Sequence, residues 1–387
     1  MRISFLAKLF TCLLLVLPIA ANALQLNARA AIVVDFETGT VLLERNADTP
    51  IPPASMSKLM TLLVAFEALE EGRLTLSQKL PVSKHAMSYG GSTMFLDTTD
   101  RVVVEDLIRG IIVLSGNDAC VVIAEALSPD GTEEGFARFM TERARQIGMK
   151  NSTFVNSNGW PAAGHRMSVR DLALLTERLI NTFPQYYSLF SEKEFKFDGR
   201  APANSRNRNP LLGLGIGADG LKTGHTKEAG YGLVGSAVQG DRRVIFVLSG
   251  MTSTAERASE SEKVVNWSFR QFVERKVADE GAVLAQADVW MGSAATVGLV
   301  APENIQVLLP IPLPDQLNAR VEYSGPVQAP IKKGQTLGTL VLPREGIEDF
   351  RTPLVADRDV GVAGFIPRLR TSAEVLLRSL NEGAAPQ

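Results

Sequence analysis

Cysteine is nearly absent from this chain of 387 residues, which contains only two. Cys12 lies in an N-terminal apolar segment that we expect to be removed, so Cys120 would be the one thiol of the mature chain. A single thiol excludes an intrachain disulfide, even in an oxidising compartment, and stability must therefore come from packing. Because Cys120 lies in the apolar run 119–127, we expect it to be a buried structural residue.

Histidine is almost as scarce, with His85, His165 and His225 as its three positions. No pair of them has the spacing of metal ligands, so we expect neither a metal site nor another cofactor. Three histidines leave a Ser-His-Asp triad possible by number, but the chain contains no G-x-S-x-G nucleophile elbow. We expect His85 and His165 to lie on loops or at the surface.

The chain also lacks an excess of charge. Its 40 Lys and Arg residues nearly balance its 42 Asp and Glu residues, and the net charge of −2 argues against a nucleic-acid partner. The locally basic segment 200–208 is predicted to be a solvated loop. The content of 45% hydrophobic and 21% charged residues is typical of a folded globular protein, and the length indicates two domains.

The apolar run near the N-terminus, residues 9–20, is too short to span a bilayer. Arg2 and Lys8 precede it, and an A-x-A cleavage signal follows at residues 21–23. We therefore predict that residues 1–23 are a signal peptide and that the protein is exported. Loss of the two basic residues makes the net charge of the mature chain about −4.

Residues 24–276 are predicted to form an α/β domain, in which helices cover one antiparallel sheet. Strand patterns occur at both ends of this segment and helical patterns lie between them. The predicted strands are Ala30–Asp35, Thr40–Leu43, Leu221–Thr223, Gly232–Val238 and Arg243–Ser249, and the predicted helices begin at Ser55 and cover Glu105–Leu114, Ala119–Leu127, Thr132–Ile147, Ser168–Ile180 and Glu256–Val273.

Residues 277–363 have a different composition, with short β-like runs separated by glycine and proline. This pattern predicts a small all-β sandwich that serves as a spacer or docking domain. Three of its predicted strands are Gln306–Leu309, Ala319–Tyr323 and Thr339–Leu342.

The C-terminal segment 364–387 is predicted to contain an amphipathic helix over residues 365–381. Its apolar residues project onto one face, and several arginines lie off that face. The residues alone support two interpretations equally: a helix that lies in a membrane surface, or a helix docked on the preceding domain.

Three short motifs occur in order along the first domain: Ser55-x-x-Lys58, Ser115-Gly116-Asn117 and Lys222-Thr223-Gly224. The first opens a predicted helix, the second lies between two helices, and the third lies on a predicted strand. Such a trio characterises class A β-lactamases and penicillin-binding proteins. S-x-x-K and K-T-G each occur once in the chain, so the ordered set is a much stronger signal than any one motif.

Ser55 and Lys58 are one helical turn apart and therefore share a face. The N-terminus of a helix favours a developing oxyanion, because its backbone N–H groups point outward. Lys58 can act as the base for Ser55 only if its pKa is lowered. A drop from about 10.4 to about 7 corresponds to roughly 4–5 kcal/mol, so burial and a neighbouring cation such as Lys222 are required.

The other motif residues suit acyl transfer as well. Ser115 can pass a proton to a leaving amine, and Asn117 can hold a substrate amide. Gly224 lets a substrate backbone pair closely with the strand edge. The remaining candidates are the backbone N–H groups of Ser55 and His225 as oxyanion donors, and Thr223, Lys222 and an arginine as partners of a substrate carboxylate.

Two further patterns resemble known motifs without their structural context. Gly215-x-Gly217-x-x-Gly220 matches a dinucleotide-binding pattern but precedes a strand, so we interpret it as a flexible loop. Glu177 and Asn181 resemble the deacylation motif of class A β-lactamases, but they fall within a predicted amphipathic helix, where a glutamate is normally solvated.

The sequence around the motifs resembles the D-alanyl-D-alanine carboxypeptidases among the low-molecular-mass penicillin-binding proteins, the penicillin-binding protein 5 and 6 type. The resemblance extends over nearly the whole chain, from the signal segment to the terminal helix. The matching segments are Pro53–Lys58, Gly91–Leu96, Ser115–Cys120, Asn207–Asn209, Asp219–Thr226 and the helix Arg257–Trp267.

This resemblance implies that Ser55 is the acylated nucleophile and Lys58 its base, within a DD-peptidase catalytic domain. Ser115, Asn117 and Lys222 would complete the site. Thr223, Arg208 and Arg257 would bind the terminal carboxylate or shape its field, with Gly224 and His225 also at the substrate, and Gly91–Leu96 would form a loop beside the site.

The family removes the last D-alanine from peptidoglycan stem pentapeptides, and β-lactams trap its serine as an acyl-enzyme. The resemblance therefore implies a periplasmic enzyme that its C-terminal helix holds on the outer face of the cytoplasmic membrane. Three alternatives stay open at this point: a β-lactamase-like hydrolase, a D,D-endopeptidase, and a mainly structural penicillin-binding wall protein.

Overall fold

The computed structural model describes residues 24–200, 204–313 and 316–364. The predicted signal peptide lies outside these residues, as does the predicted amphipathic tail except for its first residue. Within the described ranges, none of the helices combines the length and the apolar character that crossing a membrane requires.

Five antiparallel strands form the sheet of the first domain, in the order β2-β1-β7-β6-β5. Their bounds are β1 Ala30–Asp35, β2 Val41–Arg45, β5 Ala218–Thr226, β6 Gly230–Gln239 and β7 Arg242–Met251. The predicted antiparallel sheet is confirmed, and β5, which carries the K-T-G motif, lies at its edge.

Eight α-helices surround this sheet within the described residues. Side chains of Ser83, Thr132, Ser168 and Ser253 cap four of them by accepting a hydrogen bond from a backbone N–H in the first turn. The helices are α1 Lys58–Glu70, α2 Lys84–Ser88, α3 Val104–Arg109, α4 Asn117–Leu127, α5 Glu133–Gln146, α6 Val169–Thr182, α7 Pro184–Tyr187 and α8 Thr254–Arg270.

The alternation of side chains along the strands gives the sheet two buried faces. Ile32 and Ile245 lie in the cluster that includes α1, α4 and α6, whereas Val33 and Phe246 lie in the cluster that includes α8. Helix α1 is buried almost all round, so its N-terminus is fixed in the centre of the domain.

The helix boundaries differ from the predicted ones in three places. Residues Gly110–Leu114 form a π-helical turn after α3, so the helix predicted over 105–114 is not a regular α-helix throughout. Helix α4 already begins at Asn117, which shortens the predicted loop to two residues. The helix predicted to end at Val273 ends at Arg270, because strand β8 begins at Phe272. Apolar periodicity does not locate such ends, and it also missed α2, α7 and the strand pair β3 Lys79–Pro81 with β4 Arg101–Val103.

The second unit consists of a six-stranded sheet in the order β12-β14-β15-β10-β9-β13 and a pair β11-β8, which share one apolar core. Strand β8 spans the predicted domain boundary at Val277 and pairs with β11, and the division at that residue stays a prediction. The bounds are β8 Phe272–Ala278, β9 Val283–Trp290, β10 Thr296–Val300, β11 Ile305–Pro310, β12 Arg320–Tyr323, β13 Val327–Gln328, β14 Thr336–Leu342 and β15 Phe350–Ala356.

Candidate active site

Ser55 lies in a 3-10 turn, Ala54–Ser57, that leads directly into α1. The helical spacing brings Ser55 Oγ to 3.1 Å from Lys58 Nζ. Ala54 has a positive φ of 49°, and its carbonyl oxygen lies so close to Gly159 that a Cβ at residue 159 would overlap it. Glycine at position 159 therefore lets its loop pack directly against the 3-10 turn that contains Ser55.

Lys58 is fully buried, and its amine has three polar neighbours. Nζ donates to Asn117 Oδ1 at 2.7 Å and to the carbonyl oxygen of Asn158 at 2.5 Å, and the third neighbour is Ser55 Oγ. A neutral amine has two N–H groups and one lone pair. Because two of the neighbours are carbonyl oxygens that can only accept, the lone pair of the neutral amine is directed at Ser55 Oγ.

The surroundings favour this neutral form. Burial, together with the charge of Arg208, lowers the pKa of Lys58, which is about 8 instead of the usual 10.5. Cys120, Asp118 and Glu133 act in the opposite direction and raise the pKa. Lys58 is therefore a much better proton acceptor near neutral pH than an exposed lysine.

The S-x-N motif lies against the same amine. Asn117 presents Oδ1 to Lys58, while its Nδ2 donates to the carbonyl oxygen of Gly90 at 2.8 Å. Its backbone N–H donates to the carbonyl oxygen of Ser92 at 2.8 Å, so the loop 91–96 lies beside the site as expected. Ser115 has a left-handed backbone with φ of 63°, and its buried Oγ has no hydrogen-bond partner among the described residues. A buried hydroxyl without a partner is available to a substrate.

The K-T-G motif lies on the edge strand β5. Lys222 is 3% exposed, and burial together with the charges of Lys58 and Arg208 holds its pKa well below the usual value. Thr223 is buried as well. A Cβ at Gly224 would lie 2.9 Å from the carbonyl oxygen of Pro53, so glycine allows β5 to approach the turn before Ser55.

Two arginines, Arg208 and Arg257, lie near Lys58 and Lys222. Arg208 is exposed at the rim of the site, where its guanidinium donates to Ser92 Oγ at 2.8 Å and to the carbonyl oxygen of Leu114 at 3.0 Å. Arg257 on α8 is buried, donates to the carbonyl oxygen of Arg208 at 3.3 Å, and has an Nε without a partner in the described part of the chain.

We name Lys58, Lys222, Arg208 and Arg257 the cation cluster. Within the described ranges, no carboxylate oxygen lies within 4.0 Å of any of the four. Cations that are grouped without carboxylates create a field that favours an anionic ligand.

His225 follows the K-T-G motif and is exposed. Its ring stacks on Tyr231 with 3.9 Å between centroids, and Arg257 lies 5.8 Å from the centroid of that tyrosine. The ten predicted site residues therefore occupy one continuous region around the start of α1 and the edge of β5.

The other two histidines lie where we expected them, His165 on a loop and His85 at the surface, but their partners were not predicted. His165 lies on a loop but is buried, where it contacts Ser57 Oγ at 2.7 Å and accepts from the backbone N–H of Val155 at 3.2 Å. Burial lowers the pKa of His165 to about 4, so the ring is neutral. His85 is exposed, as expected, but belongs to α2 and contacts Glu133. The packing of distant segments determined these positions, and local sequence carries no signal of it.

Cys120 is buried, as expected, and burial raises the pKa of its thiol to about 12. No group of three or more His, Cys, Asp and Glu side chains that could hold a metal ion occurs in the ranges that the structure describes.

Sequence reasoning missed the Asn158 segment. The carbonyl oxygen of Asn158 accepts a hydrogen bond from Lys58. Every residue has a backbone carbonyl oxygen, so the residue type at position 158 does not indicate this role. It also missed Glu133, a buried carboxylate that contacts the same loop.

The chain is similar to known proteins over most of its length. The model of the family described as D-alanyl-D-alanine carboxypeptidase matches residues 18–253, and that of the penicillin-binding protein 5 C-terminal domain matches residues 272–362. The D-alanyl-D-alanine carboxypeptidase DacC of Escherichia coli is 38% identical over 357 residues, which are 90% of this chain and 88% of the relative.

The chain is also similar to solved structures of penicillin-binding proteins. Penicillin binding protein 5 from Haemophilus influenzae has a TM-score of 0.75 and 33% identity, and the match covers 88% of this chain and all of that one. Penicillin-binding protein D2 from Listeria monocytogenes in the ampicillin-bound form has a TM-score of 0.58 and 33% identity, covering 64% of this chain and all of that one.

Proposed function

Because the chain belongs to the D-alanyl-D-alanine carboxypeptidase family, we propose that it is a serine D,D-carboxypeptidase in which Ser55 is the nucleophile and Lys58 its base. The substrate is the D-alanyl-D-alanine end of a peptidoglycan stem pentapeptide, and the product has lost its terminal D-alanine. The observation that carries this proposal is the buried amine of Lys58, whose two carbonyl acceptors leave its lone pair for Ser55 Oγ.

Acylation begins when Lys58 takes the proton of the Ser55 hydroxyl as Oγ attacks the carbonyl carbon of the penultimate D-alanine. The carbonyl oxygen becomes an oxyanion that accepts from the backbone N–H groups of Ser55 and His225. The C–N bond then breaks, and Ser115, whose Oγ has no partner among the described residues, passes its proton to the leaving amine and takes up the proton that Lys58 has accepted. The result is an ester on Ser55 and free D-alanine.

Three members of the cation cluster, Lys222, Arg208 and Arg257, bind the carboxylate of the leaving D-alanine, together with Thr223. Lys222 supplies charge from the edge strand, while Arg208 and Arg257 approach from the rim and from α8. Gly224 lets the peptide pair with the edge of β5, and Asn117 holds the amide on the acyl side.

Deacylation uses the same groups in reverse order. A water molecule occupies the position that the leaving amine has vacated, loses a proton to Lys58 by way of Ser115 Oγ, and attacks the ester carbon. The C–O bond breaks, and Ser55 Oγ regains its proton. A β-lactam would acylate the same serine, and its leaving nitrogen stays tethered to the acyl group, so water is excluded and the acyl-enzyme persists.

For the location, we propose a periplasmic enzyme that is peripheral on the outer face of the cytoplasmic membrane. The signal pattern of residues 1–23 and the amphipathic pattern of residues 365–381 support this proposal. A variant that ends at residue 364 should appear in the soluble periplasmic fraction, while the full chain should sediment with membranes. Equal sedimentation of both would contradict membrane binding by the tail.

The experiment that tests the function measures free D-alanine released from diacetyl-Lys-D-Ala-D-Ala. Wild type and a Ser191→Ala control, which changes an exposed serine, should release it, and Ser55→Ala should not. No release by wild type, with penicillin still bound to Ser55, would reject the carboxypeptidase reaction and leave the endopeptidase or structural alternative. Rapid, sustained turnover of a chromogenic cephalosporin would instead favour the β-lactamase alternative.

A further inference from the structure

Glu133, the first residue of α5, is a carboxylate with only 3% of the residue exposed, and its hydrogen-bond partners do not include Ser55. Burial of a carboxylate destabilises the folded state unless hydrogen-bond donors surround its oxygens. Here the donors come from two segments that are distant in sequence, the loop 156–160 and the residues 85–89. The start of α5 adds the favourable field of a helix N-terminus.

One oxygen of Glu133 holds the loop. Oε1 accepts from the backbone N–H of Ser157 at 2.9 Å, from Ser157 Oγ at 2.6 Å and from Asn158 Nδ2 at 3.4 Å. The carbonyl oxygen of Asn158 is the acceptor at 2.5 Å from Lys58 Nζ. Glu133 is therefore hydrogen-bonded to the residue whose carbonyl oxygen contacts the base.

The other oxygen holds the segment in front of the site. Oε2 lies 2.7 Å from His85 Nε2 and accepts from Tyr89 Oη at 2.8 Å. Gly90 follows Tyr89, and its carbonyl oxygen accepts from Asn117 Nδ2. That hydrogen bond orients the amide of Asn117 so that Oδ1 faces Lys58 Nζ.

Two chains of hydrogen bonds thus run from one carboxylate to the two carbonyl acceptors of Lys58. We propose that Glu133 is a positioning residue for Lys58: it fixes the Asn158 carbonyl and, through Tyr89 and Gly90, the Asn117 amide, so that the lone pair of Lys58 is directed at Ser55 Oγ. This inference rests on the proposed role of Lys58 as the base.

The test measures the acylation of Ser55 by penicillin over a range of pH, resolved into the reversible binding constant and the acylation rate constant. Glu133→Asp keeps the charge but is one methylene shorter, so it cannot reach both segments. Its acylation rate constant should fall on the order of 10²-fold at every pH, with binding unchanged, because small misplacements of reacting groups have such effects.

Glu133→Gln keeps the shape but removes a negative charge that raises the pKa of Lys58. Its rate profile should therefore reach half-maximum at a lower pH than that of wild type. The other ionisable groups that act on Lys58 or face Glu133 stay in place in both variants: Asp118, Cys120, Arg208 and Lys222 around the base, and His85, Tyr89, Glu125, Glu134 and His165 around the carboxylate.

Glu134→Gln is the matched control, since it removes an exposed charge from the same helical turn and should change neither quantity. If the Glu133 variants do not fold, Tyr89→Phe removes one donor to Glu133. This variant should have the melting temperature of wild type and an acylation rate constant that is several-fold lower. Variants that are folded and acylate like wild type, with the same pH of half-maximal rate, would overturn the inference. Failure of wild type itself to be acylated would instead contradict the proposed function.

Discussion

Beside Ser55, the cations Lys222 and Arg257 are buried without a carboxylate partner among the described residues, whereas Arg320 and Arg351 of the β-rich unit form exposed ion pairs with Glu322. The first arrangement opposes folding, because burial penalises a charge that has no counter-charge. The exposed ion pairs contribute little to the stability of the fold, since solvent screens their charges. Unfavourable charge is thus concentrated in the catalytic unit, where an anionic substrate would compensate for it.

The largest effect should follow from the loss of the base. Lys58→Met keeps the apolar stem but removes the amine, so Ser55 would have no proton acceptor. We expect the rate of acylation by penicillin to fall about 10³-fold or more, within the upper range for general base catalysis. Lys332→Met, which changes an exposed lysine of the β-rich unit, is the control. A Lys58→Met enzyme with near wild-type acylation would contradict the account.

An intermediate effect should follow from a change at the rim of the cation cluster. Arg208→Gln removes one charged donor to the substrate carboxylate, and charged hydrogen bonds contribute about 1.5–3 kcal/mol. The kcat/KM for diacetyl-Lys-D-Ala-D-Ala should fall about 10- to 100-fold. The same substrate with an amidated C-terminus should be nearly unaffected by the substitution. An equal loss for both substrates would show that Arg208 acts on the site in general and does not recognise the carboxylate.

The smallest effect should follow from a change to the exposed ion pairs of the β-rich unit. Glu322→Gln removes both exposed ion pairs, with Arg320 and Arg351. We expect a melting temperature and an acylation rate that match those of wild type within error. A clear loss of acylation would mean that the charges of the β-rich unit are coupled to the site, and the contrast between the units would not hold.

The sequence predicts those parts of the site that depend on local spacing. Ser55 and Lys58 lie one turn apart in a helical segment, so their contact follows from the chain itself. The motif order and the family resemblance predicted that Asn117 and Lys222 would join them. The antiparallel sheet was also predictable, because alternating apolar residues mark its strands.

The rest depends on contacts between distant segments. The acceptor for Lys58 at Asn158 is a backbone oxygen, and Glu133 resembles any glutamate at the start of a helix. The buried ring of His165 contacts Ser57, which is far from it along the chain. Local residue patterns do not record such contacts.

The central claim is that Lys58 must be neutral to accept the proton of Ser55, and the pH dependence of Ser55 acylation by penicillin tests it most directly. Because Lys58 is protonated below its pKa, the rate should be low at acidic pH, rise as the pH passes the pKa of about 8, and reach a plateau above it. A rate that stays constant, or falls, over that interval would contradict a neutral Lys58 as the base.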